Sequence, residues 1–288
     1  MDGSLYLNQS GGILAYSVIS FFAFLFNLSP SLMCIVVLAW QSVPNRPLVL
    51  LGNRDEFFSR DAAPLAAWSH DLPHSPIIAG RDLQSGGTWL GITATGRWAV
   101  ITNYREKPQT SAEPITRGAL VTDYLNGDSE PLAFLQAVDQ SLYAGFNLIV
   151  GTLNDAAVLG NRGLQPQTLS AGMHVLSNAL LDTQWPKTNR LLQGFQSLDL
   201  TVDDETMMTH GFALLNDETQ APTEDLPQTG ISTEMEKVLS SIRIDSPIYG
   251  TRVSSVLVLG DDGYTFAEKT LRPSEGGVVR LGGLWRKT

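Results

Sequence analysis

The sequence predicts an α+β fold of antiparallel sheets covered by helices, and two patterns carry that reading. Short apolar runs recur in pairs, each pair joined by a Pro-, Gly- or Asn-containing turn, as hairpins require. Helical segments are inserted between groups of such pairs and do not alternate with single strands, which argues against a parallel βαβ arrangement. The first pair is the run Cys34–Trp40, a turn at Pro44-Asn45-Arg46-Pro47, and a strand over Leu48–Gly52. Residues 59–76, rich in Pro, Ala and Asp, read as a loop. A second pair runs through Ser85–Ile92, the turn Thr93-Ala94-Thr95-Gly96, and Arg97–Asn103. Helices are expected over 117–126, capped by Thr116, and over 130–142. Strands follow at Phe146–Gly151, Ala156–Leu159 and Met173–Asn178. Pro186 then opens a helix to about Gln196, and 203–215 reads as another. Thr233 with Glu236 forms a capping-box pattern before a helix to about Ile242. Arg252–Leu259, the turn Gly260-Asp261-Asp262-Gly263 and Tyr264–Glu268 close the chain as a hairpin.

Composition narrows the function classes. Hydrophobic residues make up 43% and charged residues 17%, which describes an ordinary folded chain. The net charge of −10 comes without any run of Lys or Arg, so nucleic acid is not an expected partner. One cysteine in 288 residues excludes an internal disulfide. His70 and His74 are four apart, but Pro73 breaks the helix that would aim both at a metal, and no metal is expected. No G-x-S-x-G elbow supports a serine hydrolase.

Residues 11–28 are uncharged and apolar, at the short end of a membrane-spanning length. The only charge before them is Asp2, which argues against a secretory signal. Three readings stand for residues 1–32: a misassigned start, an anchor, or an atypical signal. Translation from Met33 would leave a domain over 33–288 and a cytoplasmic protein. Retention of 11–28 would make it membrane-anchored. In the first case, loss of the initiator methionine would give Cys34 a free α-amino group.

Cys34 opens a buried-strand pattern, so its backbone would be fixed by a sheet. Hairpin geometry returns the end of the second strand to the start of the first, which places Asn53-Arg54-Asp55-Glu56 near Cys34. An arginine there favours a thiolate, and a carboxylate can hold an amine. Asn103 and Asn178 each end a predicted strand; by position alone they read as turn residues.

From Met33 onward the chain resembles the NRDE family, also called the transport and Golgi organisation 2 family. The matching stretches are Met33-Cys34, Asn53-Arg54-Asp55-Glu56, Ala79-Gly80-Arg81-Asp82, Gly86-Gly87-Thr88-Trp89-Leu90-Gly91 and Thr102-Asn103. They continue with Arg117-Gly118, Leu120-Val121, Leu176-Ser177-Asn178 and Tyr249-Gly250-Thr251-Arg252. More distantly, the pattern is similar to the cysteine N-terminal-nucleophile hydrolases of the penicillin V acylase and bile-salt hydrolase group. That resemblance implies a four-layer αββα sandwich, an N-terminal Cys34 serving as nucleophile and, through its amine, as its own base, and Asn103 and Asn178 as oxyanion-side residues. In that group the strand-end motif is Gly-Arg-Asn-x-Asp. Here Gly52-Asn53-Arg54-Asp55-Glu56 exchanges Arg and Asn and puts Glu56 at the acid's place. The implied activity is hydrolysis of a non-peptide C–N amide bond, by Cys34, Asn53, Arg54, Asp55, Glu56, Asn103 and Asn178, with Trp89 and Arg252 at the substrate. No cofactor is implied for that chemistry. The NRDE resemblance also implies an alternative, a non-enzymatic haem or lipid/acyl-CoA binding and trafficking protein, with His174 as a candidate haem ligand. The expected partner is thus a small-molecule amide, haem or an acyl lipid.

Overall fold

The structure, a computed structural model, describes residues 34–68, 76–106 and 115–286. The apolar segment 11–28 and the His70/His74 pair lie outside the described residues. Within the described residues, no helix is long and apolar enough to cross a membrane.

The first hairpin forms as expected, with a shifted turn. Strand β1 (Cys34–Val43) and strand β2 (Arg46–Phe57) are joined by Pro44-Asn45 alone, and Asn45 takes a positive φ of 59°. Pro47 therefore sits inside β2, one residue from its start, instead of closing the turn. Gln41, at φ 47°, marks an irregularity in the register between Trp40 and Val43. β2 runs on through Asn53-Arg54-Asp55-Glu56, so this motif is strand and not turn.

Two antiparallel sheets result. In the first, β10 (Gly172–Leu176), β1, β2, β11 (Tyr249–Leu259), β12 (Gly263–Thr270) and β13 (Val278–Leu284) lie side by side in that order. In the second, β3 (Ala62–Ala67), β4 (Ile77–Asp82), β5 (Leu90–Thr93), β6 (Trp98–Asn103), β7 (Phe146–Gly151), β8 (Ala156–Gly160) and β9 (Leu164–Thr168) follow chain order. Gly96, at φ 87°, makes the β5–β6 turn that the sequence predicts.

Side-chain alternation splits the first sheet into two faces. Val36, Leu38, Trp40, Leu48 and Leu50 face the second sheet, and Trp40 meets Trp98 there at a ring separation of 5.6 Å. Ile35, Val37, Val49, Leu51, Val256 and Val258 face outward and are covered by helices α3 (Pro186–Gln196) and α4 (Asp204–Leu215), through Leu191, Phe195, Met207 and Leu215. Helices α1 (Gly118–Asn126) and α2 (Pro131–Ala137) cover the second sheet, α1 over β5 and β6 and α2 over β8 and β9. The layers are therefore αββα.

Several elements differ from expectation. Residues 62–67 form an edge strand although the segment reads as a loop, because pairing with β4 satisfies a backbone that its Ala- and Pro-rich composition does not favour as strand. β9 and β13 are also edge strands with mostly exposed residues, so no apolar alternation announces them. The helix expected over 130–142 stops at Ala137, where Val138 turns extended, and resumes as a single 3₁₀ turn at Gln140–Leu142. Helix α5 spans only Thr233–Val238, and its cap is Ser232, accepting from Met235 N–H, one residue before the predicted Thr233.

Gly52 is where the two sheets press closest beside Cys34. A Cβ there would lie 3.0 Å from Cη2 of Trp89 and 3.0 Å from the Ile35 carbonyl oxygen. Gly52→Val is therefore expected to lower unfolding free energy by about 1–3 kcal/mol, measured by urea denaturation, because neither the ring nor the strand has room to withdraw.

Candidate active site

Antiparallel pairing sets Cys34 opposite Arg54, and the alternation that buries Val36 and Leu38 between the sheets aims the Cys34 thiol into the same layer. The thiol is 5% exposed. Burial pushes it up to about 12, and the Asp55 carboxylate adds to this. The Arg54 guanidinium and a hydrogen bond from the Asp55 N–H pull it back.

The four residues after Gly52 part company. Arg54 pairs with Glu56 at 3.2 Å and with Asp82 at 3.5 Å. Glu56 also accepts from the Phe57 N–H at 2.7 Å, and Arg60 lies 3.4 Å from it and 2.7 Å from Asp82. Burial nonetheless raises the Glu56 carboxyl above its ordinary value, against the pull of Arg54, the Phe57 N–H and Arg60. Asp55 is fully buried and bonds Thr251 Oγ1 through one oxygen, while its Oδ2 has no hydrogen-bond partner. Asn53 lies on the face opposite Arg54 and Glu56. Odd positions of this stretch of β2 face the helices, so its amide donates to the Leu215 and Ile242 carbonyls, both at 2.9 Å, and accepts from Ser254 Oγ at 2.7 Å. The expectation that Asn53 converges on the thiol is corrected: the residue next to Arg54 in a strand points to the opposite face, where it ties the end of α4 to the sheet.

Both strand-end asparagines reach the Cys34 end of the sheets. Ser177 Oγ lies 2.9 Å from the Cys34 carbonyl oxygen and donates to it, and Thr102 Oγ1 donates to the Ser177 carbonyl at 2.7 Å. Asn178 Nδ2 donates to the Asn103 carbonyl at 3.0 Å, and the Arg105 N–H returns a bond to the Asn178 carbonyl at 2.7 Å. The Asn103 side-chain Nδ2 is buried with no partner. These bonds lace the end of β6 to the segment after β10, which is why two asparagines distant in sequence meet.

Trp89 lies against Gly52 in the same apolar cluster as Cys34, as a wall of the site. Arg252 occupies the register shift between Thr251 and Val253, and its guanidinium donates to the Phe57 and Phe58 carbonyls at 3.2 and 2.8 Å. It thereby holds the end of β2. His174 has both ring nitrogens engaged, Nδ1 with Asp182 at 2.8 Å and Nε2 with the Ser170 carbonyl at 2.9 Å, so neither is free to ligate iron. Among the described residues, no cluster of His, Cys, Asp and Glu could hold a metal ion.

The family match covers residues 33–273 and is to Transport and Golgi organisation 2. The chain belongs to that family. It is 33% identical to the human Transport and Golgi organization protein 2 homolog, over 83% of this chain and 93% of the relative. The Drosophila melanogaster Transport and Golgi organization protein 2 is 25% identical, over 83% and 92%. In structure the chain is similar to a mutant conjugated bile acid hydrolase from Clostridium perfringens, with a TM-score of 0.48 and 7% identity over 88% of this chain and 97% of the other.

Three site residues of this family member escape a reading of the sequence. Lys187 is 2% exposed in the first turn of α3, where a cation meets the positive end of the helix and no acidic residue of that turn offsets it. Its ammonium lies 3.4 Å from Asn178 Oδ1. Burial lowers it, as does Arg105, and the charges of Asp55, Cys34 and Glu236 oppose the shift. A lysine directly after Pro186, at a position that disfavours positive charge, was the signal available in the sequence. Arg105 and Glu236 form an ion pair of 2.6 Å, each 4% exposed, with Arg105 stacked 4.8 Å over Trp185. Glu236 thus serves this pair and not the capping box that its spacing from Thr233 predicts.

Glu268 of β12 reaches between the sheets and accepts from the Leu65 N–H at 2.8 Å. A Cβ on Gly80 would stand 3.0 Å from its Oε2, which accounts for the glycine in Ala79-Gly80-Arg81-Asp82. Burial pushes Glu268 from 4.5 to about 7, while the Leu65 N–H and Arg54 pull it down. The folded carboxyl keeps a proton that the unfolded chain releases. Its contribution to stability is complete below about 4.5 and is lost as the pH rises to about 7. Glu268→Gln is expected to remove that loss, about 2–3 kcal/mol across the interval, in urea titrations at a series of pH values.

Proposed function

We propose that this protein is an N-terminal-nucleophile-type amidohydrolase acting on a non-peptide C–N amide bond, with Cys34 as nucleophile in a form of the chain that begins at Cys34. The observation that carries the reading is the buried Asn103 Nδ2. It is a hydrogen-bond donor without a partner, in a network that also grips the Cys34 backbone. Leaving such a donor unpaired costs stability, and a carbonyl oxygen that turns into an oxyanion would satisfy it.

The α-amino group titrates near ~7.7–8.0 and accepts the thiol proton. Sγ then attacks the amide carbon, and the carbonyl oxygen takes negative charge facing Asn103 Nδ2. Collapse breaks the C–N bond, and the ammonium of Cys34 returns the proton to the leaving amine. Water, activated by the same amine, cleaves the thioester, releases the acid and restores the thiol. Asn178 holds the Asn103 backbone in place, and Lys187 supplies positive charge beside Asn178. Arg54 favours the thiolate, Glu56 fixes Arg54, and Asp55 gives its N–H to the sulfur. Trp89 and Gly52 form the apolar wall against which an acyl chain would lie.

An acylating probe directed at cysteine, read by intact mass, tests this. Stoichiometric acylation is expected at neutral pH in the wild-type protein, none in Cys34→Ser, and about 100-fold slower acylation in Asn103→Ala. A wild-type protein from its native host that retains residues ahead of Cys34, or that takes up no acyl group, contradicts the reading.

A further inference from the structure

β7 is apolar along its length except at Asn147, which is fully buried. Its partners across the sheet are Thr102 on β6 and Gly160 on β8. Gly160 gives the amide its room, since a Cβ there would lie 2.7 Å from Asn147 Oδ1. A leucine at this position would fill a similar volume without burying an amide, so the polar group calls for a reason.

Asn147 uses both of its amide hydrogens. Nδ2 donates to the Ala179 carbonyl at 2.9 Å and to Thr102 Oγ1 at 3.3 Å. The Ala179 carbonyl can only accept, so the amide is held nitrogen-first and its Oδ1 stays buried with no hydrogen-bond partner. Thr102, with its oxygen taken by Asn147, gives its single hydrogen to the Ser177 carbonyl at 2.7 Å.

What these two donors hold is the chain that leaves β10. The last pair of β10 with β1 is Leu176 with Val36, so that ladder ends before residues 177–179. The three successive carbonyls of this segment are taken by the second sheet and its continuation: Ser177 by Thr102, Asn178 by the Arg105 N–H at 2.7 Å, and Ala179 by Asn147. From the same segment, Ser177 Oγ reaches the Cys34 carbonyl at 2.9 Å and Asn178 Nδ2 reaches the Asn103 carbonyl at 3.0 Å. The placement of the Cys34 strand relative to Asn103 therefore runs through residues 177–179.

We propose that Asn147 is a positioning residue of this site, one that holds Asn178 and the Cys34 backbone in place against Asn103. The proposal rests on Asn103 Nδ2 as the oxyanion donor and deepens that reading. The bonds of Asn147 go to Ala179 and Thr102, so it acts through them and takes no part in proton transfer.

Two reactions of the single cysteine separate positioning from a general loss of order. p-Nitrophenyl acetate acylates Sγ through a tetrahedral oxyanion, forming a C–S bond and expelling p-nitrophenolate. Iodoacetamide alkylates Sγ by displacing iodide and builds no oxyanion. Both consume the thiolate, so the ratio of their rates cancels its population. The protein keeps the N-terminus that its host leaves it. In Asn147→Leu the acylation-to-alkylation ratio should fall about 10-fold. Thr102→Val should lower it similarly, and the double variant should lose less than the product of the two, because both act on one segment. Thr102→Val also carries the test if Asn147→Leu does not fold. In either variant the Arg105 amide should exchange its hydrogen about 10-fold faster, while the Ile101 amide, bonded to the Trp89 carbonyl at 2.8 Å, keeps its protection. A folded Asn147→Leu with an unchanged ratio, or with acylation and alkylation slowed alike, overturns the proposal and leaves the amidohydrolase reading standing. A wild type that p-nitrophenyl acetate does not acylate sinks that reading. The Arg105 exchange then decides the positioning alone: faster exchange in Asn147→Leu supports it, and unchanged exchange overturns it.

Discussion

The pairing of Cys34 with Arg54 across β1 and β2 governs the rest of the site. That register sends the thiol and the guanidinium into the layer between the sheets, and sends Ile35 and Asn53 into the helical layer. A slip of one residue would exchange the two sets, burying a thiol among aliphatic side chains and aiming an amide at the ion cluster. The register is held from both sides. Two residues close the hairpin turn, and β11 pairs along the whole second half of β2. Trp89 over Gly52 then fixes how closely the second sheet approaches.

Around that pair the protein buries an unusual amount of charge. Arg54, Glu56, Arg105, Glu236, Asp55 and Lys187 are all nearly inaccessible, and most of them neutralise one another. Apolar residues of similar volume would stabilise the fold as well or better, since ion pairs of this kind barely recover their desolvation cost. Two of these and the neighbouring Asn103 also break the usual rules of satisfaction. Lys187 sits at the wrong end of a helix dipole, Asp55 keeps one oxygen without a partner, and Asn103 keeps an amide nitrogen without one. Such exceptions concentrate where function demands them, and all three belong to the network that reaches Cys34.

The fold class, both hairpins that build the site and most helices were legible in the sequence, because apolar periodicity and turn chemistry are local. The edge strands β3, β9 and β13 were not, since their pairing partners and not their composition make them strands. In the site, the nearness of Arg54 to Cys34 followed from hairpin geometry. The opposite facing of Asn53 was decided by a parity that a motif quoted as four consecutive letters conceals. Lys187 and Glu236 arrive from helices whose placement depends on tertiary packing, Arg105 comes from the irregular segment after β6, and only the unfavourable helix position of Lys187 left a local trace. Asn103 and Asn178 looked like turn residues because the bond between them joins the end of β6 in one sheet to the segment that follows β10 of the other.

The proposed chemistry requires the thiol to depend on its own amine. Burial holds Cys34 near 12 when a peptide bond occupies its nitrogen, whereas a free α-amino group would accept the proton near ~7.7–8.0. The pH dependence of Cys34 alkylation by iodoacetamide should therefore be measured on two forms, one beginning at Cys34 and one retaining Met33. The first is predicted to show an inflection near the titration of the amine and the second to rise without a plateau to pH 10. Superimposable profiles would contradict it.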